Sequence, residues 1–187
     1  ILNKMKEANF QMVSIGMETG SQRLLDTLEK GEKVDDNVSA IKMANEVGIS
    51  SSATFIFGLP TETREERLAT ARLARKIPLT DARFNVAVPY PGTKLFQIAK
   101  KENRLLIKEG WSNFNVQFYM FGDDIPYVPE NTSKYLLMYD TFMANLRFNL
   151  RIKTLTSFFI SPVSGGMVLT LPEKWYLVDE IPKSDRG

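Results

Sequence analysis

The chain has 187 residues, 43% of them hydrophobic and 25% charged, enough apolar side chain for one domain with a real core. A net charge of +2 is too small to argue for nucleic acid or an anionic membrane surface, and no run of about 18 apolar residues marks a membrane span. Without cysteine or histidine the chain can build neither a disulfide nor a thiolate-bound metal centre, and it lacks the commonest general base.

A helical pattern opens directly at Ile1, so the sequence reads as part of a longer protein. Met12 to Met17 is a short apolar run that stops at Glu18-Thr19-Gly20-Ser21. Ser21 is placed to cap a helix through Arg23, Leu24, Leu25 and Leu28, ended by Lys30-Gly31. The next helix is expected from Asp36 to Val47, with Val34, Val38, Ile41, Ala44 and Val47 at helical spacing and Gly48 closing it. A second strand, Ala53 to Phe57, runs into Gly58-Leu59-Pro60-Thr61-Glu62. Thr63 and Glu66 fit a capping box for a helix over 64–76, with Leu68, Ala71 and Ala74 on one face. The third strand, Arg83 to Val88, ends in Pro89-Tyr90-Pro91-Gly92-Thr93, where Thr93 caps a helix through Leu95, Phe96 and Ile98.

Past this point the alternation stops, which divides the chain into 1–105 and an extension over 106–187. Trp111, Phe114, Phe118, Tyr119 and Phe121 form an aromatic connection with turn residues Asp123, Asp124 and Pro126. A long helix is expected from Ser133 to Lys153, with Leu136, Tyr139, Met143, Leu146 and Leu150 as its apolar seam and a solvated basic end. The apolar tract from Leu155 to Leu171, broken by Pro162, Gly165 and Gly166, reads as a buried turn.

Strands alternating with helices predict right-handed crossovers and a parallel sheet, hence an α/β fold. Val13, Ile15, Met17, Phe55, Phe57, Phe84, Val86 and Val88 form a bulky face suited to covering helices. Ser14, Gly16, Glu18, Thr54, Ile56, Gly58, Arg83, Asn85 and Ala87 form a smaller, more polar one. A doubly wound sheet favours apolar residues on both faces, so the asymmetry points to a barrel interior or a ligand-lined concave sheet. Three unclosed strands would also leave an exposed edge, and an isolated chain prone to aggregate.

Active sites of βα barrels lie at the C-terminal strand ends. There Glu18 can accept hydrogen bonds from vicinal hydroxyls, and Gly58 and Gly92 can admit a ligand close to the backbone. Plainer readings stand beside these. Glu18 can pair with a lysine such as Lys30, Glu62 can favour the helix N-terminus that follows it, the glycines can simply turn the chain, and Tyr90 can be a core ring with a wet hydroxyl.

The segments from Val13 to Ser21, Lys30-Gly31, Phe55 to Thr63 and Pro89 to Thr93, in this order and spacing over about residues 1 to 105, resemble the radical S-adenosylmethionine (SAM) superfamily, above all its members with a cobalamin-binding domain. The resemblance implies strands four to six of a partial TIM-type (βα) barrel and a mostly helical C-terminal extension. It matches Glu18 to the residue that holds the ribose hydroxyls and Ser14 to the same cofactor wall. Ile56, Gly58 and Glu62 match the motif beside adenine, where Glu62 orders the loop, and backbone around Asn85, Val86 and Ala87 matches the contact to the adenine edge. Thr54 and Thr61 stand where the family favours glycine.

Implied cofactors of the parent are S-adenosylmethionine, a 4Fe-4S cluster and, for the cobalamin-binding members, cobalamin. This chain has none of the cysteines that ligate the cluster and is expected to be inactive alone. Implied partners are the N-terminal half of the barrel, a cobalamin-binding domain and a small-molecule substrate, in the cytoplasm. Two other readings stay open: a non-radical nucleotide- or sugar-binding α/β domain, and a non-enzymatic interaction module.

Overall fold

A computed structural model describes residues 1–108, 111, 113–114 and 125–151. The expectations for Phe118, Tyr119, Phe121, Asp123, Asp124 and the tract from Leu155 to Leu171 lie outside the described residues. The chain divides into two units, Ile1–Asn149 and Leu150–Gly187, and the first carries every helix and strand described.

In chain order these are α1 (Leu2–Glu7), β1 (Met12–Glu18), α2 (Gln22–Thr27), α3 (Val34–Glu46), β2 (Ser50–Phe57), α4 (Arg64–Lys76), β3 (Asp81–Val86), α5 (Lys94–Lys101) and α6 (Lys134–Asn149). The strands form one parallel sheet in the order β1-β2-β3. β2 starts three residues before the expected Ala53, because Ser50, Ser51 and Ser52 pair with Met12, Val13 and Ser14. Serine has little intrinsic preference for strands, and the ladder overrides it. β3 ends earlier than expected because the Tyr90 N–H turns back to the Val88 carbonyl at 3.0 Å and Pro89 has no N–H to give. The helix starts follow their capping residues. Thr63 and Glu66 form the expected capping box, and the Thr93 hydroxyl accepts from the Phe96 N–H.

The bulky face is the core. Phe55 stacks on Phe84 at 5.0 Å, and Phe57 and Phe148 approach the same ring at 5.4 and 6.4 Å. Met17, Ile41, Ala53, Ala74, Val86, Leu137 and Ala144 complete it, so α3, α4 and α6 all contribute to one side of the sheet. On the other side Ser14, Gly16 and Arg83 are exposed and Thr54, Ile56 and Asn85 only half-buried.

In α4 the expected face is kept in part: Ala74 is buried, Ala71 packs against the core and Leu68 is half-buried, while Arg67 and Thr70 beside them are buried as well. The other long helix turns a different face inward from the one expected. α6 buries Leu137, Met138, Asp140, Ala144, Asn145 and Phe148, whereas Tyr139 and Leu146 of the expected seam are exposed. This helix is apolar on both sides, and partners for its polar residues decide the matter. Asn145 shows why: its amide accepts from the Phe84 N–H at 3.2 Å and donates to the Phe84 carbonyl at 2.9 Å. A side chain thus takes the place of a fourth strand at the middle of β3, and the edge expected to be bare is covered there. β1 has β2 as its one strand neighbour among the described residues. No helix among them is long and apolar enough to cross a membrane.

Replacing Asn145 by alanine orphans both Phe84 groups in a buried setting. The expected loss is about 2 kcal/mol, with more light scattering from the re-exposed edge. A urea midpoint and scattering signal equal to those of the wild type would contradict this account of the edge.

Candidate functional site

Register places the polar face in rows. Ser14 stands beside Ser52 and Asp81, Gly16 beside Thr54 and Arg83, and Ile56 beside Asn85. At the end of β1 the ladder slips between Gly16 and Glu18, and Glu18 takes a left-handed conformation with φ 58°. Such a backbone is uncommon outside glycine and strained. It folds the side chain back, so that a Cβ on Gly16 would lie 3.0 Å from Glu18 Oε1. The missing side chain at 16 therefore makes room for a carboxylate on the polar face. Lys30 Nζ lies 3.0 Å from the same Oε1, and this bond raises the lysine's pKa. The pairing anticipated as the plain alternative is thus present. Only Oε1 takes part in it, and Oε2 accepts no hydrogen bond among the described residues.

Beside Glu18 the same end of the sheet turns apolar. Ile56 packs against Leu24, Leu59 and Ala87, with Leu28 and Leu95 nearby. Ala87 N–H already donates to Phe57 O at 2.8 Å, so it is not available to a ligand. The Val86 side chain points into the core.

Gly58 and Glu62 belong to the buried side. Glu62 Oε2 accepts from the Gly58 N–H at 2.7 Å and from Arg67 Nε at 2.9 Å. Arg67 Nη1 donates to Asp140 Oδ2 at 3.0 Å, and Arg64 donates twice to Asp140, at 3.1 and 3.0 Å. Side chains of Glu62 and Arg67 are wholly buried. Burial pushes the Glu62 carboxyl up, opposed by the Arg67 charge and the Gly58 N–H. Glu62 is therefore a brace within an ion network, which is more than a charge set near a helix dipole.

A second brace lies outside. Glu66 accepts from Arg23 Nε and Nη2, from the Ser21 hydroxyl at 2.7 Å and from the Thr63 N–H at 3.0 Å. Ser21 was expected to cap α2 with its side chain, but its hydroxyl goes to Glu66 instead. Arg23 above all, with Thr63 and Ser21, lowers the Glu66 carboxyl to about 2. The guanidinium of Arg23 also holds Thr61, whose φ of 61° is a conformation glycine adopts far more readily than a β-branched residue.

Glycines that could have admitted a ligand admit protein instead. A Cβ on Gly58 would meet Leu137 of α6 at 2.7 Å, and one on Gly20 would meet Leu73 and Thr70 of α4 at 3.0 and 3.2 Å. Gly92, with φ 85° and nothing within 4 Å, serves the turn alone. Tyr90 is exposed, its hydroxyl donating to the Phe114 carbonyl at 3.3 Å. Arg23, Arg67 and Asp140 were not singled out in the sequence. Arg67 shares helical spacing with the buried Thr70 and Ala74, the one trace it left.

No group of three acidic residues suited to a metal exists among the described residues, and the chain has no cysteine or histidine. Its side chains do not fit an iron–sulfur cluster, which requires thiolates.

Comparison with known proteins gives this geometry a context. Residues 1–74 match the Radical SAM superfamily. An uncharacterized methyltransferase of Pyrococcus horikoshii is 37% identical over 61% of this chain and 25% of its own length. The anaerobic magnesium-protoporphyrin IX monomethyl ester cyclase of Cereibacter sphaeroides is 34% identical over 52% of this chain and 16% of its own length. The chain thus spans a quarter or less of these relatives. Among solved structures, the Elp3 protein of the archaeon Methanocaldococcus infernus superposes with a TM-score of 0.53 at 14% identity, covering 80% of this chain and 39% of that one. The family match thus falls on the first 74 residues, and the likeness to the archaeal structure is one of fold, an α/β arrangement with a three-stranded parallel sheet.

Two measurements test the braces. Glu66 titrates below its ordinary 4.5 in the folded protein, so its contribution is full above that value and is lost as pH falls toward about 2. Glu62, with a raised carboxyl, has the opposite sign, and its contribution falls as pH rises through its folded value. In acid unfolding followed by urea midpoint, Glu66→Gln should flatten the limb between about pH 4.5 and 2, lowering stability near neutral pH by on the order of 1–2 kcal/mol once screening at the half-exposed Arg23 is allowed for. Thr61→Gly relieves a left-handed β-branched residue and should raise stability by up to about 1 kcal/mol, net of glycine's extra chain entropy. A lower midpoint for Thr61→Gly would mean that the Arg23 contacts outweigh the strain.

Proposed function

We propose that the polar face of the β1–β3 sheet is part of the adenosyl-binding wall of a radical SAM protein. The observation that carries this is the Glu18 carboxylate, turned back over Gly16 by a strained backbone, with one oxygen unpaired among the described residues. A carboxylate so placed can accept from the two hydroxyls of a ribose, as acidic residues at strand ends do for dinucleotides. Ile56, in contact with Leu24, Leu59 and Ala87, offers an apolar surface beside it for a base. Asn85, next to Ile56 in register, supplies hydrogen-bonding groups for the base edge. Ser14 lies farther down the same face, and Gly58 and Glu62 shape the loop from behind.

Under this reading the three strands are the fourth to sixth of a six-stranded partial barrel. The rest of the barrel, the thiolates for a 4Fe-4S cluster and the site for the methionine end of the cofactor come from outside these residues. The full assembly would cleave S-adenosylmethionine reductively or, with cobalamin on a further domain, transfer a methyl group to a small-molecule substrate. Because no side chain here can ligate the cluster, no redox step is assigned to this chain.

Calorimetric titration of the chain with adenosine tests the reading. Losing a charge-assisted bond to Glu18 should weaken binding about tenfold or more in Glu18→Gln. Dideoxyadenosine, which lacks both ribose hydroxyls, should bind the two proteins alike. Equal adenosine affinity in wild type and variant would remove Glu18 from the site. Absence of nucleoside binding by the wild type would favour an interaction module.

A further inference from the structure

We infer that α6 positions the loop at the end of β2, and that Asp140 is the residue through which it does so. Three separate contacts from the segment around α6 converge on that loop. Leu137 fills the space a side chain on Gly58 would need, with Cδ2 2.7 Å from the ideal Cβ position. Asn131 Nδ2 donates to the Glu62 carbonyl. Asp140 accepts from Arg67 Nη1 at 3.0 Å, Arg67 Nε donates to Glu62 Oε2, and that same oxygen accepts from the Gly58 N–H.

The last contact is a relay of charge across three elements. Asp140 fixes the guanidinium plane of Arg67. That plane fixes the Glu62 carboxylate, which holds the peptide of Gly58 at φ 80°. Asp140 bonds Arg64 and Arg67 of α4 and, among the described residues, none of the polar face, so it is a positioning residue. Its effect on a nucleoside rests on the reading proposed above, in which the Gly58 loop backs the base.

The test is heteronuclear NMR of the whole chain with ¹⁵N label, and it separates the two ideas. A short bond to a carboxylate sets the Gly58 amide proton far downfield. Asp140→Asn should move this signal upfield and speed its hydrogen exchange about tenfold or more, while the Ser14 and Gly16 amides stay in place. Adenosine affinity should fall about three- to tenfold in parallel. Arg64→Met removes from the half-exposed side the two bonds Arg64 gives Asp140, so it guards against a variant that fails to fold. It should shift the Gly58 amide in the same direction by less. A Gly58 amide unmoved in both variants overturns the relay. Should it move while adenosine affinity in the variants equals that of a binding wild type, the loop is no part of the site. Should it move while the wild type binds no nucleoside, the relay stands and the adenosyl reading falls.

Discussion

Arg67 carries a permanent charge with no exposed surface, and this sets the terms for the rest of the molecule. A guanidinium taken out of water must meet carboxylates in good geometry, since removing one partner of a buried pair costs about 3–5 kcal/mol. Glu62, five residues before it, and Asp140, 73 residues after it, both meet it, and Arg64 completes a group of two acids and two bases. Pairing that group, although Glu62 Oε1 and Arg67 Nη2 find no partner among the described residues, fixes which residues of α4 and α6 turn inward. Once α6 is held there, Leu137 and Phe148 reach the phenylalanine core and Asn145 reaches the edge of β3. The ion network and the core therefore specify one arrangement together, with α3, α4 and α6 on one side of the sheet.

That gathering leaves the other side open. It is the side with Ser14, Gly16, Thr54 and Asn85, small or polar residues that a helix would cover poorly. The packed core and the proposed nucleoside site thus occupy opposite faces of the same three strands. They meet at the loop from Gly58 to Glu62, which is held from behind and faces the Ile56 cluster in front. Strain sits at the same end: Glu18 and Thr61 both have left-handed backbones, and each side chain is held by a cation, Lys30 or Arg23.

Much of this was legible in the sequence because local rules agreed with the fold. The alternation of Val13, Ile15 and Met17 with Ser14 and Gly16 announced a one-sided sheet, and Thr63, Glu66 and Thr93 marked helix starts. What could not be read depended on partners far along the chain. Asp140 and Asn145 look like solvent-facing residues until Arg67 and the Phe84 backbone are brought to them, 73 and 61 positions away. Periodicity alone therefore chose the Tyr139 and Leu146 side of α6. Glu18 illustrates the same limit in the site: its position was evident, but the bulge that turns it over Gly16 follows from pairing with β2.

If the open face receives a nucleoside, intermolecular nuclear Overhauser effects from ¹³C-labelled adenosine must reach it. The expected contacts run from the ribose protons to Gly16 and Glu18 and from the base protons to Ile56 and Asn85. Contacts confined to the helix-covered side, or none from a saturated sample, would contradict it.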